Sequence, residues 1–236
     1  MTKIRTVSEA KREFYTHYTR PVSSIYRRFV EELLVEIHLL MVNGDFRYDP
    51  IFALGVVTAF DRFMQGYQPA ADLPAIFAAL CRAVGGQPEQ YRRDAQALRE
   101  SCQGLVWSEL LPQLSEASQD TAFPLLQTLR TIQQRPNFKY SRLFAIGLYT
   151  LMLETAPELK TDAEQRQQLL KQLAESLGFT DEKLQKDLDL YRSNLDKVDQ
   201  LLKVLEETAE AERKKREKQA AAEAENSTVS AETSPE

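Results

Sequence analysis

Between Ile25 and Tyr67 the chain reads IYRRFVEELLVEIHLLMVNGDFRYDPIFALGVVTAFDRFMQGY, and this stretch restricts the possible folds more than any other. At a helical advance of about 100° per residue, Ile25, Tyr26, Phe29, Val30, Leu33, Leu34, Ile37, Leu40 and Met41 share an arc about half the circumference wide. A surface helix carries a narrower apolar stripe, so this helix is expected to touch several neighbours. Asn43-Gly44 is expected to end it, with Gly44 in the left-handed conformation that a side chain disfavours. Asp49-Pro50 predicts the next start: the carboxylate caps free N–H groups, and proline at the first helical position sacrifices no hydrogen bond. The second helix, Ile51 to about Gln65, is apolar almost all round, interrupted by Thr58, Asp61 and Arg62. That is the pattern of a core helix, and the short connection predicts an antiparallel hairpin.

The rest of the chain is punctuated in the same way. Thr6-Val7-Ser8-Glu9 has capping-box spacing and predicts a helix from Val7 carrying Phe14, Tyr15 and Tyr18, closed by Pro21. Further helices are expected at Pro74–Val84, at Pro88 to about Gln103, and at Val106–Glu116, where Pro112 must kink or split the segment. Others are expected from Asp120-Thr121 to Pro136, over Phe138–Thr155, and from the second capping-box match, Thr161 to Glu164, to Leu177-Gly178. No segment alternates with a period of two. The fold class is all-α: an irregular multi-helix bundle of eight or nine helices with a long C-terminal helix, partly coiled-coil-like.

That last helix follows Thr180. Leu184, Leu188, Tyr191, Leu195, Val198, Leu202 and Leu205 fall at heptad a/d spacing. Leu190, Leu201 and Val204 widen the stripe and favour docking of its first half on the bundle. From Glu206 the apolar positions vanish and charge alternates in blocks. A helix from Thr180 to Glu223 would extend about 65 Å. The expected organisation is a bundle over 1–178, a charged helix over 179–225 and a disordered polar tail over 226–236.

Charge and motifs exclude several functions. The chain carries 30 Lys and Arg against 35 Asp and Glu, a formal charge of −5, and lacks a sustained basic face, so nucleic acid is not an expected partner. Cys81 and Cys102 have neither the pairing of a disulfide framework nor the spacing of a zinc site. The N-terminus has no apolar core of a secretory signal and little room for a transit peptide. The longest apolar run, Leu143 to Leu153, is about half of what a membrane span needs. A ferritin-like metal site requires Glu-x-x-His on two helices, but Val35 precedes His38 and Phe14 precedes His17 at that spacing. No nucleophile-elbow, zincin, phosphate-loop or dinucleotide motif occurs. The expectation is a protein without enzymatic activity, cofactor or metal.

The hairpin words, with the opening TVSEAKREFYTHY, resemble the thylakoid formation protein family, photosystem II biogenesis factors of cyanobacteria and chloroplasts. The resemblance runs to roughly Phe179 and is absent beyond about Glu206. It implies a peripheral protein on the cytoplasmic side of the thylakoid membrane, with a soluble fraction, that supports photosystem II assembly and repair. It further implies partnership with an FtsH-type membrane protease complex, and with photosystem II components, for which the bundle would act as a scaffold. The residues expected to carry the shared framework are Tyr48, Asp49, Pro50, Phe60, Asp61, Gly66 and Tyr67.

Three charge arrangements stand out. Arg28, Glu32 and Glu36 are spaced as an ion ladder on one helix. Glu36, at the edge of the apolar arc, is alternatively expected to form a buried pair with Arg62 of the facing helix. The cluster Arg213, Lys214, Lys215 and Arg216 has the charge to touch anionic lipid or a partner, although Glu210, Glu212 and Glu217 surround it and a solvated helix is the simpler reading. An alternative function is pigment or lipid handling, with the apolar hairpin lining a cavity. A third is a homo-oligomeric coiled-coil spacer.

Overall fold

A computed structural model describes residues 5–115 and 123–232. Among them ten α-helices form and no strand does: α1 (Val7–His17), α2 (Ser24–Met41), α3 (Pro50–Phe63), α4 (Leu73–Ala83), α5 (Pro88–Ser101), α6 (Trp107–Ser115), α7 (Pro124–Gln133), α8 (Arg142–Thr155), α9 (Ala163–Leu177) and α10 (Asp181–Glu232). Short 3₁₀ turns at Ala70–Asp72 and Pro157–Lys160 precede α4 and follow α8. The all-α expectation holds, with more helices than anticipated.

Several helix ends form as their sequences dictate. The Thr6 hydroxyl accepts the Glu9 N–H at 3.2 Å, and the Glu9 carboxylate accepts the Thr6 N–H at 2.7 Å, which completes the capping box. Asp49 accepts the Phe52 N–H at 2.9 Å with Pro50 behind it. Gly178 closes α9 in the left-handed region at φ 74°. Other ends differ. Gly44 is not left-handed; the Asn43 side chain accepts the Asp45 N–H at 3.0 Å and turns the chain after α2 instead. Asp162, not Thr161, caps α9, by accepting the Gln165 N–H at 2.9 Å. Pro112 sits inside α6 without splitting it. Helix α7 begins at Pro124, and the expected start at Asp120-Thr121 lies outside the described residues. Helix α8 begins only at Arg142, capped by Ser141, so Phe138 and Tyr140 belong to the connection before it.

Helix α3 is the centre: every residue from Ile51 to Phe60 is buried. Its principal neighbours are α8 and α5, so the expected pairing with α2 is corrected. Two glycines are the reason. A Cβ on Gly55 would lie 1.7 Å from the Leu143 carbonyl oxygen, and one on Gly147 would lie 1.9 Å from that of Ile51. The two backbones are in contact, an approach open only to residues without side chains. Helix α2 meets the far end of α3 through rings: Phe29 stacks on Phe63 at 5.2 Å, and Tyr26 meets Tyr67 edge-on at 5.2 Å.

The contacts divide the chain after Arg192 rather than near Gly178. Leu184, Leu188 and Tyr191 are buried in the first unit, and the Tyr191 ring meets Phe63 at 5.8 Å. The first turns of α10 are therefore part of the bundle. In the second unit, which starts at Ser193, the helix continues past Asn226, where a tail was expected, to Glu232.

Candidate functional site

The framework residues hold the two ends of α3. At its start the Tyr48 hydroxyl donates to Asp94 of α5 at 2.9 Å, and its ring meets Tyr91 edge-on at 5.3 Å. Burial is the main reason the Tyr48 phenol is raised well above its ordinary pKa, with Asp94 adding to it. Asp49 is buried beside it, and burial lifts its carboxyl to about 6 against the N–H groups and the Arg135 charge, which pull it down. At the other end Phe60 meets Phe77 of α4 at 5.0 Å. Asp61 pairs with Arg92 of α5 at 3.2 Å. Gly66 takes the left-handed conformation at φ 77°, which turns the chain so that Tyr67 reaches Tyr26. These residues clamp α3 to three neighbours and present no convergent chemistry.

The charged candidates are redistributed. Of the Arg28–Glu32–Glu36 ladder only the first rung forms, exposed, at 2.8 Å. Glu36 does not pair with Arg62, which lies exposed near the end of α3. It accepts a hydrogen bond from Arg142, 106 residues away in the chain, at the start of α8. The Glu36 carboxyl is raised because burial outweighs the attraction of Arg142. The correction has a packing cause: α3 packs along α8 and meets α2 less extensively, and the first turn of α8 reaches the rim of α2. Sequence reasoning missed Arg142 as well as Gly55 and Gly147. The available signal was a glycine inside each of the two most apolar helices, where each costs about 1 kcal/mol of helix propensity without a packing reason.

Close to this pair the start of α10 is fastened down. The Tyr140 hydroxyl donates to Asp187 at 2.9 Å, and Lys183 lies 4.7 Å over the Tyr140 ring. Phe138, Phe144 and Phe179 pack as a cluster with centroid separations of 5.1, 5.4 and 5.8 Å.

Two surface grooves accompany the clamp. One, of about 650 Å³, runs along the outer face of α2 between α1 and Arg142, bordered by Lys11, Arg27, Arg28, Glu31 and Glu32. The other, of about 600 Å³, lies among α6, the end of α8 and α9, lined by Trp107, Leu111, Leu159, Leu169, Gln165 and Gln172. The Trp107 indole N–H donates to Thr155 at 2.8 Å. Cys81 and Cys102 are buried free thiols. Burial lifts the Cys81 thiol to about 12, the opposite of what a nucleophile needs. His38 is buried in the core face of α2. In α10, Arg213 pairs with Glu217 at 3.6 Å and Lys214 with Glu210 at 4.0 Å.

The fold is an all-α bundle with a filled core, in which these tyrosines and carboxylates fasten helices, and with one charged and one largely apolar groove open on its surface. Among the described residues no helix is long and apolar enough to cross a membrane. The chain belongs to the thylakoid formation protein family, whose model matches residues 6–220 and so extends past Glu206, where the visible resemblance was expected to stop. It is 63% identical over 223 residues to Protein Thf1 of Synechocystis sp. (strain ATCC 27184 / PCC 6803 / Kazusa), covering 94% of this chain and 92% of that one. It is 57% identical over 221 residues to Protein Thf1 of Gloeothece citriformis (strain PCC 7424), covering 93% and 98%. A solved structure described as "Structure of Psb29 at 1.55A" superposes with a TM-score of 0.79 at 50% identity, over 90% of this chain and 98% of that one.

Proposed function

We propose that this protein is a non-enzymatic accessory factor in photosystem II assembly and repair, held peripherally on the cytoplasmic face of the thylakoid membrane, where it scaffolds an FtsH-type protease complex. Family membership supports the thylakoid setting. The observation that carries the scaffold reading is the build of α10. Its first turns are locked into the bundle by Leu184, Leu188, Tyr191 and the Tyr140–Asp187 bond, and the same helix continues through a charged segment. A helix anchored at one end and polar from Glu206 onward suits a second contact with a partner. The pigment or lipid cavity reading has less support, because α3, the helix that would line a cavity, is enclosed on all sides and lies backbone-to-backbone on α8.

The test is affinity purification from gently solubilised photosynthetic membranes, using the full chain and a chain ending at Arg192. Ending at Gly178 would strip Leu184, Leu188 and Tyr191 from the core. Recovery of the protease with the full chain alone identifies the distal helix as the tether. Recovery with both places the contact on the bundle. Recovery with neither refutes the scaffold.

A further inference from the structure

We infer that the outward face of α1 and the first turns of α2 is the surface that meets the membrane, through attraction to anionic lipid headgroups. This rests on the peripheral reading above and names the face that carries it.

The chain is acidic overall, yet its charge is segregated. From Arg5 to Arg28 there are six Lys or Arg residues against two acidic ones, Glu9 and Glu13. The fold turns this run into a face. Ala10, Phe14 and Tyr18 are buried, and α1 packs on α4. The buried Asp72 fixes the linker by accepting the Tyr18 hydroxyl at 2.8 Å and pairing with Arg20 at 2.8 Å. Arg5, Arg12, Arg20, Arg27 and Arg28 are left exposed.

The acidic residues in the adjoining groove cancel part of this charge and leave the run net positive: over residues 5–32 six Lys or Arg stand against four acidic residues. Glu31 is matched by Lys11 at 2.7 Å and Glu32 by Arg28 at 2.8 Å, while Glu36 is matched by Arg142. Arg12 and Arg27 take part in none of the ion pairs formed among the described residues, although the Arg27 charge also favours the ionised form of Glu31. Tyr15, one turn from Arg12, and Ile25, one turn from Arg28, are 39% and 37% exposed, a tyrosine and an aliphatic residue of the kind that settles at headgroup depth. The cations are spread over two helices and a linker instead of converging on one point. That suits the diffuse potential of a lipid surface better than a shaped protein epitope. In the α10 cluster, the candidate from sequence, Arg213 and Lys214 are matched by Glu217 and Glu210, and from Glu206 to Lys218 no apolar residue larger than alanine accompanies it.

The experiment is co-sedimentation of the full chain with vesicles of phosphatidylcholine, with and without phosphatidylglycerol. It compares wild type, the double variant R12Q/R27Q, the charge-preserving R12K/R27K, and K214Q/K215Q, each checked for wild-type circular dichroism. The expected result is binding to the anionic vesicles only, weakened by salt. It should fall on the order of tenfold in R12Q/R27Q and be retained in R12K/R27K and K214Q/K215Q. Binding that survives R12Q/R27Q but is lost in K214Q/K215Q overturns the assignment of the face while leaving peripheral attachment intact. Equal binding to neutral vesicles overturns the electrostatic basis. If wild type ignores every vesicle but binds native membranes until their surface proteins are shaved by protease, the face reads an acidic protein and the lipid inference falls. If it binds neither vesicles nor native membranes, the peripheral reading falls with it.

Discussion

Replacing Gly55 by alanine sets two effects of opposite sign against each other. In an isolated helix the change is favourable by about 1 kcal/mol, because alanine is the better helix former. In this fold the added methyl would meet the Leu143 carbonyl oxygen at 1.7 Å and its carbon at 2.7 Å. Ordinary contact needs roughly 3.5 Å, so α3 and α8 would have to part by about 1.5–2 Å, and a gap of even 0.5–1 Å forfeits a quarter to a half of the dispersion energy of facing atoms. The obstacle is backbone, so no rotamer can relieve it. Overpacking costs about 1–3 kcal/mol where side chains can yield, and more where they cannot. Gly55→Ala should therefore lose about 2–4 kcal/mol net, a large share of the 5–15 kcal/mol that a domain typically has. Urea unfolding followed by far-UV circular dichroism and by the single tryptophan, Trp107, measures it. Gly44, whose added Cβ would meet nothing within 4 Å, is the control; its alanine variant should stay within about 0.5 kcal/mol of wild type. A Gly55→Ala protein as stable as wild type would refute the backbone crossing, and the pairing of α3 with α8 would need redrawing.

Arg142→Ala leaves Glu36 buried without its cation and should cost about 2 kcal/mol at neutral pH, whereas Arg62→Ala should cost less than about 0.5 kcal/mol. Because the folded Glu36 pKa is raised, the stability linked to its proton is full below its ordinary value of 4.5 and is lost as pH rises through the folded value. The Arg142→Ala deficit should thus shrink in acid, and a deficit independent of pH would contradict the assignment. For Asp49, raised from 3.8 to about 6, the same sign holds: stability is fullest below 3.8 and declines as pH climbs through about 6. Asparagine caps as well as aspartate, so Asp49→Asn should keep the helix and flatten that decline in a series of unfolding curves; an unchanged slope would remove Asp49 as its source. Tyr140→Phe deletes the bond to Asp187 and should cost about 1 kcal/mol. It should also raise amide exchange in the first turns of α10 before the rest of the bundle, and uniform exchange would show that this bond does not fasten the helix.

Much of the fold was legible locally. The ends at Thr6, Asp49 and Gly178 and the buried circumference of Ile51–Phe60 could be read because caps and periodicity are settled within one or two turns of chain. The hairpin words also pointed to the family. The charged site was less legible. Arg28–Glu32 lies within one helix and was foreseeable, but Glu36 finds its partner across 106 residues, and nothing near Glu36 names Arg142. Local rules also failed where two candidates competed, as at Gly44 against Asn43 and at Thr161 against Asp162.

The sequence by itself determined the helical class, most helix limits, the acidic balance and the polar character of the distal part of α10, since each depends on composition or on neighbours a few residues apart. Tertiary structure alone decided that α3 packs chiefly on α8 and α5 rather than on α2, that the bundle continues to Arg192, and that Glu36 meets Arg142. The physical reason is that helix partners are chosen by the closest fit between whole surfaces. Two glycines, Gly55 and Gly147, far apart in the chain, permit the tightest of those fits, and the place of Arg142 at the start of α8 follows from it.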